Sequence, residues 1–217
     1  MKLVDTLAEQ ARLEEILDES KPPVPPECAQ LHSLLSTPFR YGASYPRGSR
    51  FRRPGMTPGV FYASRTPLTA VVEAAFHRLL FFADSPETPW PDNPCEFTAF
   101  STRYRTAAGL DLTVPPLDRD RAAWTHPTEY ERCQALAESA RSAGVEVLRY
   151  ASARDGSPDA LNIALLTCRA FASKAPLERQ MWRIHLGPSG VRALCEFPEA
   201  QLGLDRDAFA NDPRLAP

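Results

Sequence analysis

Residues 48–64, GSRFRRPGMTPGVFYAS, set Arg50, Arg52 and Arg53 among glycines and prolines and end on a strand-like segment bearing Tyr62. Eleven positions later Glu73 lies inside the run TPLTAVVEAAFHRLLFF. With Arg47 just upstream, the arginines form a local cluster whose planar forks, beside backbone exposed by glycine, suit phosphate oxygens. The plainer reading of any one of them is a solvated basic loop. At 100° per residue Glu73 lies on the border of the apolar face of a helix over 67–82, next to Thr69, Phe76 and Leu80. Two roles are open to it: a surface glutamate paired with His77 four residues on, or an acid at the edge of a cleft. A second polar stretch, LRYASARDGSPDALN at 148–162, offers Ser152, Arg154, Asp155 and Asn162 as ligand-facing groups or as ordinary turn residues. Tyr62 alternates with Phe61, so one ring is expected in the core and the other can face a ligand.

The elements that must carry these groups are readable in outline. A helix over 3–18 stops at KPPVPPE, because proline lacks the amide proton and clashes with the preceding turn. Leu31, Leu34 and Leu35 allow a further helical turn, and glycine and proline keep the following stretch to about residue 59 as loop. A strand is expected at 59–63, then a helix over 67–82 capped by Thr66 with Pro67 in its first position. Strands are expected at 96–101 and 110–114, and a helix from about 127 to 142, capped by Thr125 or Thr128 and ended by Gly144. The last third reads as strands at 145–151, 160–167, 179–186 and 191–197. Helices early and strands late predict an α+β fold, not a doubly wound parallel sheet.

The chain of 217 residues, 43% hydrophobic and 24% charged, is long enough for one well-buried core. A formal charge of −2 gives no general reason to expect binding to nucleic acid or to an anionic membrane, and no apolar run approaches a bilayer span. Five widely spaced cysteines without a Cys-x-x-Cys pair, and no signal peptide at the start, predict a reduced, cytoplasmic protein whose cysteines serve as small core residues. The four histidines fall in no metal-ligand spacing, so no metal is expected. There is no GxGxxG, no GxxxxGK[ST] and no GxSxG, which removes the standard nucleotide loops and the serine-hydrolase elbow.

In order and spacing these segments resemble the RES domain family, the toxins of RES–Xre toxin–antitoxin systems. The likeness runs through GSRF with Arg50, FYAS with Tyr62, TAVVEAAF with Glu73 and RYASARD with Ser152. Many members carry asparagine and proline where this chain has Arg52 and Arg53, so Arg50, Arg52 and Arg40 compete for the family arginine's role, with Arg50 preferred. The resemblance implies a helical extension over 1–35, the RES domain over 36–200 and a C-terminal tail over 201–217, in a fold like that of ADP-ribosyltransferase toxins.

It also implies that NAD⁺ is a substrate, broken at the nicotinamide–ribose bond with water or phosphate as acceptor, and that no cofactor is needed. Modification of a protein by mono-ADP-ribosylation is the alternative. By the same resemblance Glu73, Arg50 and Ser152 are catalytic, and Tyr62, Arg52, Arg40, Arg154 and Asn162 contact substrate. The implied partner is an Xre-like helix-turn-helix antitoxin that covers the site, with no direct nucleic-acid or membrane binding. The sequence leaves monomer and homo-oligomer both open.

Overall fold

The structure, a computed structural model, describes residues 4–41, 47–55 and 57–215. Glycine and proline density breaks the chain into short strands: β1 (Phe61–Ser64), β2 (Cys95–Phe100), β3 (Gly109–Asp111), β4 (Val147–Ala151), β5 (Leu161–Leu165), β6 (Arg179–Gly187), β7 (Gly190–Cys195) and β8 (Ala200–Asp205). They form two four-stranded sheets, ordered β1-β5-β4-β3 and β2-β6-β7-β8. Among the described residues only the β3–β4 pair is parallel. The helices are α1 (Leu7–Glu19), α2 (Ser33–Arg40), α3 (Pro67–Asp84), α4 (Arg121–Trp124) and α5 (Glu131–Ser142). This is the expected mixed α/β architecture in one domain.

The burial of each strand follows from what covers it. Every residue of β5, LNIAL, is buried, as a strand covered on both faces requires. On one face Leu148, Tyr150 and Ala164 pack with Phe51, Trp124 and the α5 residues Cys133, Ala137 and Ala140. On the other, Phe61, Val147, Ile163 and Leu165 meet Leu35 and Phe39 of α2. Strand β6 alternates exposed and buried residues, as expected of a sheet solvated on one side. Its inward Trp182, Ile184 and Leu186 take Val71, Val72, Ala75, Phe76 and Leu79 of α3.

Helix α3 begins where the sequence indicates. The Thr66 hydroxyl accepts from the Thr69 amide at 3.2 Å and Pro67 occupies the first turn. Helix α5 begins later than expected, at Glu131, and neither Thr125 nor Thr128 caps it. Instead the His126 Nδ1 accepts from the Glu129 amide at 2.9 Å and folds 126–129 into a turn.

Three further features complete the fold. Residues 201–215 are packed structure: β8 completes the second sheet, and Phe209 and Leu215 join its core. The segment after the proline run is likewise anchored, since Leu35 is fully buried, whereas α1 buries no residue and Leu7 is 89% exposed. Most directly, Cys28 and Cys168 form a disulfide across 140 residues of sequence, so these two are not the independent reduced core cysteines expected. Cys95, Cys133 and Cys195 are free.

A cross-link across so long a loop removes much conformational entropy from the unfolded chain, about 2–5 kcal/mol in the chain-entropy picture. Reduction should therefore lower the thermal midpoint by roughly 4–20 °C, at about 2–4 °C per kcal/mol for a chain of this size. Thermal denaturation with and without a phosphine reductant checks this, and Cys168→Ser should no longer respond to the reductant.

Candidate active site

The register of the first sheet gathers polar residues at one end. Ser64 and Tyr150 both lie opposite Asn162, and Tyr62 and Leu148 both lie opposite Ala164. Directly paired residues share a face, so Tyr62, Ser64, Asn162 and Tyr150 point to the same side, at the ends of β1 and β4 and the start of β5. Ser152 follows immediately after β4. Helix α3 reaches this end from the second sheet with Glu73 facing it.

Glu73 does not engage His77 by an ion pair among the described residues. Its Oε1 accepts from the Ser152 hydroxyl at 2.7 Å and from the Asn162 amide at 2.6 Å. Each donor is itself oriented. The Ser152 oxygen accepts the Arg154 and Asp155 amides at 3.1 and 2.9 Å, so its single proton is directed to Glu73. Ser64 donates to the Asn162 Oδ1 at 2.7 Å, which turns the amide nitrogen toward Glu73. Among the described residues no hydrogen bond reaches the Glu73 Oε2. The arrangement is a half-buried carboxylate with one oxygen fixed by two donors and the other open to a ligand.

The arginine loop lies over the same face of the sheet. The Tyr62 hydroxyl accepts from the Phe51 amide at 3.0 Å and lies 2.9 Å from the Ser49 hydroxyl, while 39% of Tyr62 remains exposed. The loop arginines divide by partner. Arg53 pairs with Glu138 at 2.6 Å. Arg52, 7% exposed, bonds the Tyr41 carbonyl and both oxygens of Thr57, so it serves to knit the loop. Arg40 pairs with Asp18 and bonds the Pro22 carbonyl, which directs it to the N-terminal segment and not to Glu73. These contacts engage Arg40 and Arg52 within the protein.

Arg50 is different. It is 9% exposed, donates to the Trp124 carbonyl at 2.7 Å and lies 4.8 Å over the Tyr130 ring. Among the described residues it has no carboxylate partner. Among the described residues the guanidinium is compensated by a carbonyl dipole, a ring face and the Cys133 thiol, with no carboxylate, and a buried cation of that kind is set up to receive an anion.

Arg154 is buried with its counter-charge. It pairs with Asp212 at 2.8 Å, donates to the Pro127 carbonyl at 2.6 Å and lies 3.8 Å over the Phe76 ring. Asp212 also binds Arg214 at 2.7 Å. Sequence reasoning missed Asp212: NDPR at 211–214 reads as a turn, and no spacing signal ties it to position 154. It also missed a cleft of about 450 Å³ whose lining includes Ser152, Arg154, His126 and Asp212. Glu73, Tyr62, Arg50 and Asn162 do not line that cleft, so Ser152 is where it adjoins the carboxylate cluster.

Asp212 is 1% exposed. Burial pushes its carboxyl up, but hydrogen bonds from Arg214 and the charge of Arg154 outweigh this and hold it below the ordinary aspartate value. A carboxyl whose folded value is depressed stabilises the fold above its unfolded value, near pH 4, and that contribution is lost as pH falls through the folded value. Asp212→Asn should cost about 3–5 kcal/mol at neutral pH by leaving Arg154 uncompensated, and should flatten the loss of stability below about pH 4. Urea unfolding midpoints measured from pH 7 to pH 3 test both statements.

Comparison with curated proteins gives no match. Arg50, Tyr62, Glu73, Ser152 and Asn162 all fall within residues 25–187, which match the family model of the RES domain, and the chain belongs to that family.

Proposed function

We propose that the chain is a RES toxin that degrades NAD⁺ by breaking its nicotinamide–ribose bond, as a phosphorylase or glycohydrolase. Membership of the family is consistent with NAD-related toxin–antitoxin function. The observation that carries the finer reading is the Glu73 carboxylate, held on Oε1 by Ser152 and Asn162 with Oε2 open, on the sheet face that Arg50 covers. The two-sheet architecture is compatible with the expected likeness to ADP-ribosyltransferase toxins, which stays part of this proposal.

The chemistry fits those groups. Nicotinamide leaves as a neutral base with the electron pair of the C1′–N bond, so the ribose carbon becomes oxocarbenium-like and positive. A fixed carboxylate nearby stabilises that charge where it develops and needs no reorganisation to do so. Glu73 Oε2 also accepts a hydrogen bond from an attacking water, or orients the ribose hydroxyls when phosphate attacks. Arg50, without a counter-carboxylate, takes the pyrophosphate or the incoming phosphate, and the exposed part of Tyr62 packs against the nicotinamide or its ribose. Ser152 and Asn162 position the carboxylate and so act through it. An Xre-like helix-turn-helix antitoxin that covers this face would silence the enzyme by occluding NAD⁺.

Incubation of the purified chain with NAD⁺, with and without phosphate, should release nicotinamide together with ADP-ribose or its 1″-phosphate. Label transferred to protein would favour mono-ADP-ribosylation, and absence of turnover under every condition would refute both. Glu73→Gln should lower kcat at least about 100-fold with the circular dichroism spectrum unchanged, the scale of losing one preorganised electrostatic group. Full activity in that variant would remove Glu73 from the role given to it. Arg50→Lys should chiefly raise KM.

A further inference from the structure

On the sheet face that meets Glu73, the polar groups of Tyr62, Ser64 and Asn162 are each engaged by a hydrogen bond within the protein. Tyr150 is the exception. Among the described residues its hydroxyl takes part in no hydrogen bond, although the residue is only 5% exposed. The oxygen is not sealed away either, because the one fully enclosed side-chain polar atom without a partner among the described residues is Arg149 Nε. A hydroxyl removed from bulk water without a replacement bond is unfavourable, and such exceptions in native folds point to a use outside the fold.

Packing holds the ring in place. Strand register sets Tyr150 directly opposite Asn162, whose amide bonds Glu73. Phe51, the residue after Arg50, meets the Tyr150 ring edge-on with centroids 4.9 Å apart, and Trp124 and Cys133 belong to the same core cluster. The hydroxyl is thereby placed between the elements that carry Glu73 and Arg50, and the charges of both act on it. Burial pushes the phenol well above its ordinary value; Tyr62 and Glu73 push the same way, against a weaker opposing effect of Arg50. Tyr150 is therefore a neutral group that keeps its proton to donate at physiological pH.

We infer that the Tyr150 hydroxyl and the Arg50 guanidinium form a two-donor seat for one phosphate group, with Tyr150 donating to an oxygen whose charge Arg50 neutralises. Arg50 has no carboxylate partner among the described residues, so the ligand atom it lacks is anionic and can only accept. A hydroxyl with a free proton beside it is the complementary second donor. A guanidinium alone leaves a bound tetrahedral anion free to tilt, whereas a second donor on a packed ring fixes which oxygen faces Glu73. For its biological ligand the seat rests on the NAD⁺ reading above, where the added bond sets the angle at which the pyrophosphate or incoming phosphate is held. Tyr150 becomes a ligand-contacting residue that the sequence analysis did not single out.

Tyr150→Phe deletes the oxygen and keeps the ring against Phe51, so calorimetric titration of the full chain with inorganic phosphate and pyrophosphate tests the seat without relying on catalysis. The wild type should bind at least one of the two, and Tyr150→Phe should bind it about tenfold more weakly, the scale of one hydrogen bond to a charged group. Because the hydroxyl has no partner in the fold, the thermal midpoint of the variant should equal or exceed that of the wild type. If both donors hold one anion, Arg50→Lys combined with Tyr150→Phe should weaken binding by less than the product of the single effects. Tyr104→Phe, at a half-exposed tyrosine on another part of the surface, should change neither affinity nor midpoint. No anion binding by the wild type, equal binding by Tyr150→Phe, or a midpoint that falls in that variant overturns the seat. Anion binding that weakens in Tyr150→Phe, in a chain that does not cleave NAD⁺, keeps the seat and overturns the proposed reaction.

Discussion

Helix α3 and the first sheet meet at one shared oxygen, the Glu73 Oε1. Helix α3 is committed to the second sheet by Val71, Val72, Ala75, Phe76 and Leu79, while Ser152 and Asn162 belong to the first sheet and its loop. Glu73 Oε1 joins the two halves by accepting from both. A half-buried carboxylate at such a seam needs donors. The fold supplies them from strand ends, where backbone pairing has stopped and side chains are freed for other partners.

Charge compensation separates the arginines more clearly than position does. Arg40, Arg53 and Arg154 each face a carboxylate, and Arg52 is absorbed by the Tyr41 carbonyl and Thr57. Arg50 is buried against a carbonyl and a ring with no anion, among the described residues, to balance it. Burying a cation this way is unfavourable unless something of opposite charge completes the environment. Under the proposed NAD⁺ reaction the pyrophosphate or incoming phosphate would do so. The basic appearance of the 47–53 loop is therefore misleading as a sign of general polyanion affinity.

What the sequence disclosed and what it hid follow from the range of the interactions involved. Helix α3 was legible because its cap, its first-turn proline and its apolar period are all local, and the same angular arithmetic put Glu73 at the border of the buried arc. Strands β4, β5 and β6 were legible from their apolar runs or alternation. Strand β8 was not, because AQLGLD is a weak strand sequence held by pairing to β7. The Cys28–Cys168 bond spans 140 residues and the Asp212–Arg154 pair joins two loops, so neither leaves a spacing signal. The Thr125 and Thr128 caps were displaced because His126 closes its own turn, a local competition in which two reasonable choices existed.

The Glu73 cluster and the C-terminal segment come from different parts of the chain. Glu73, Ser152, Asn162, Tyr62 and Arg50 all come from residues 25–187. Residues 188–215 add β8, the buried Asp212 that compensates Arg154, and one wall of the neighbouring cleft. A cluster built from sheet ends and one helix tolerates little change, since each donor is fixed by a second bond. The wall depends instead on a short segment anchored by Phe209, Asp212 and Leu215, whose exposed residues are free to vary without disturbing those anchors. Exposed positions of the C-terminal segment can thus change while the Glu73 cluster stays as it is.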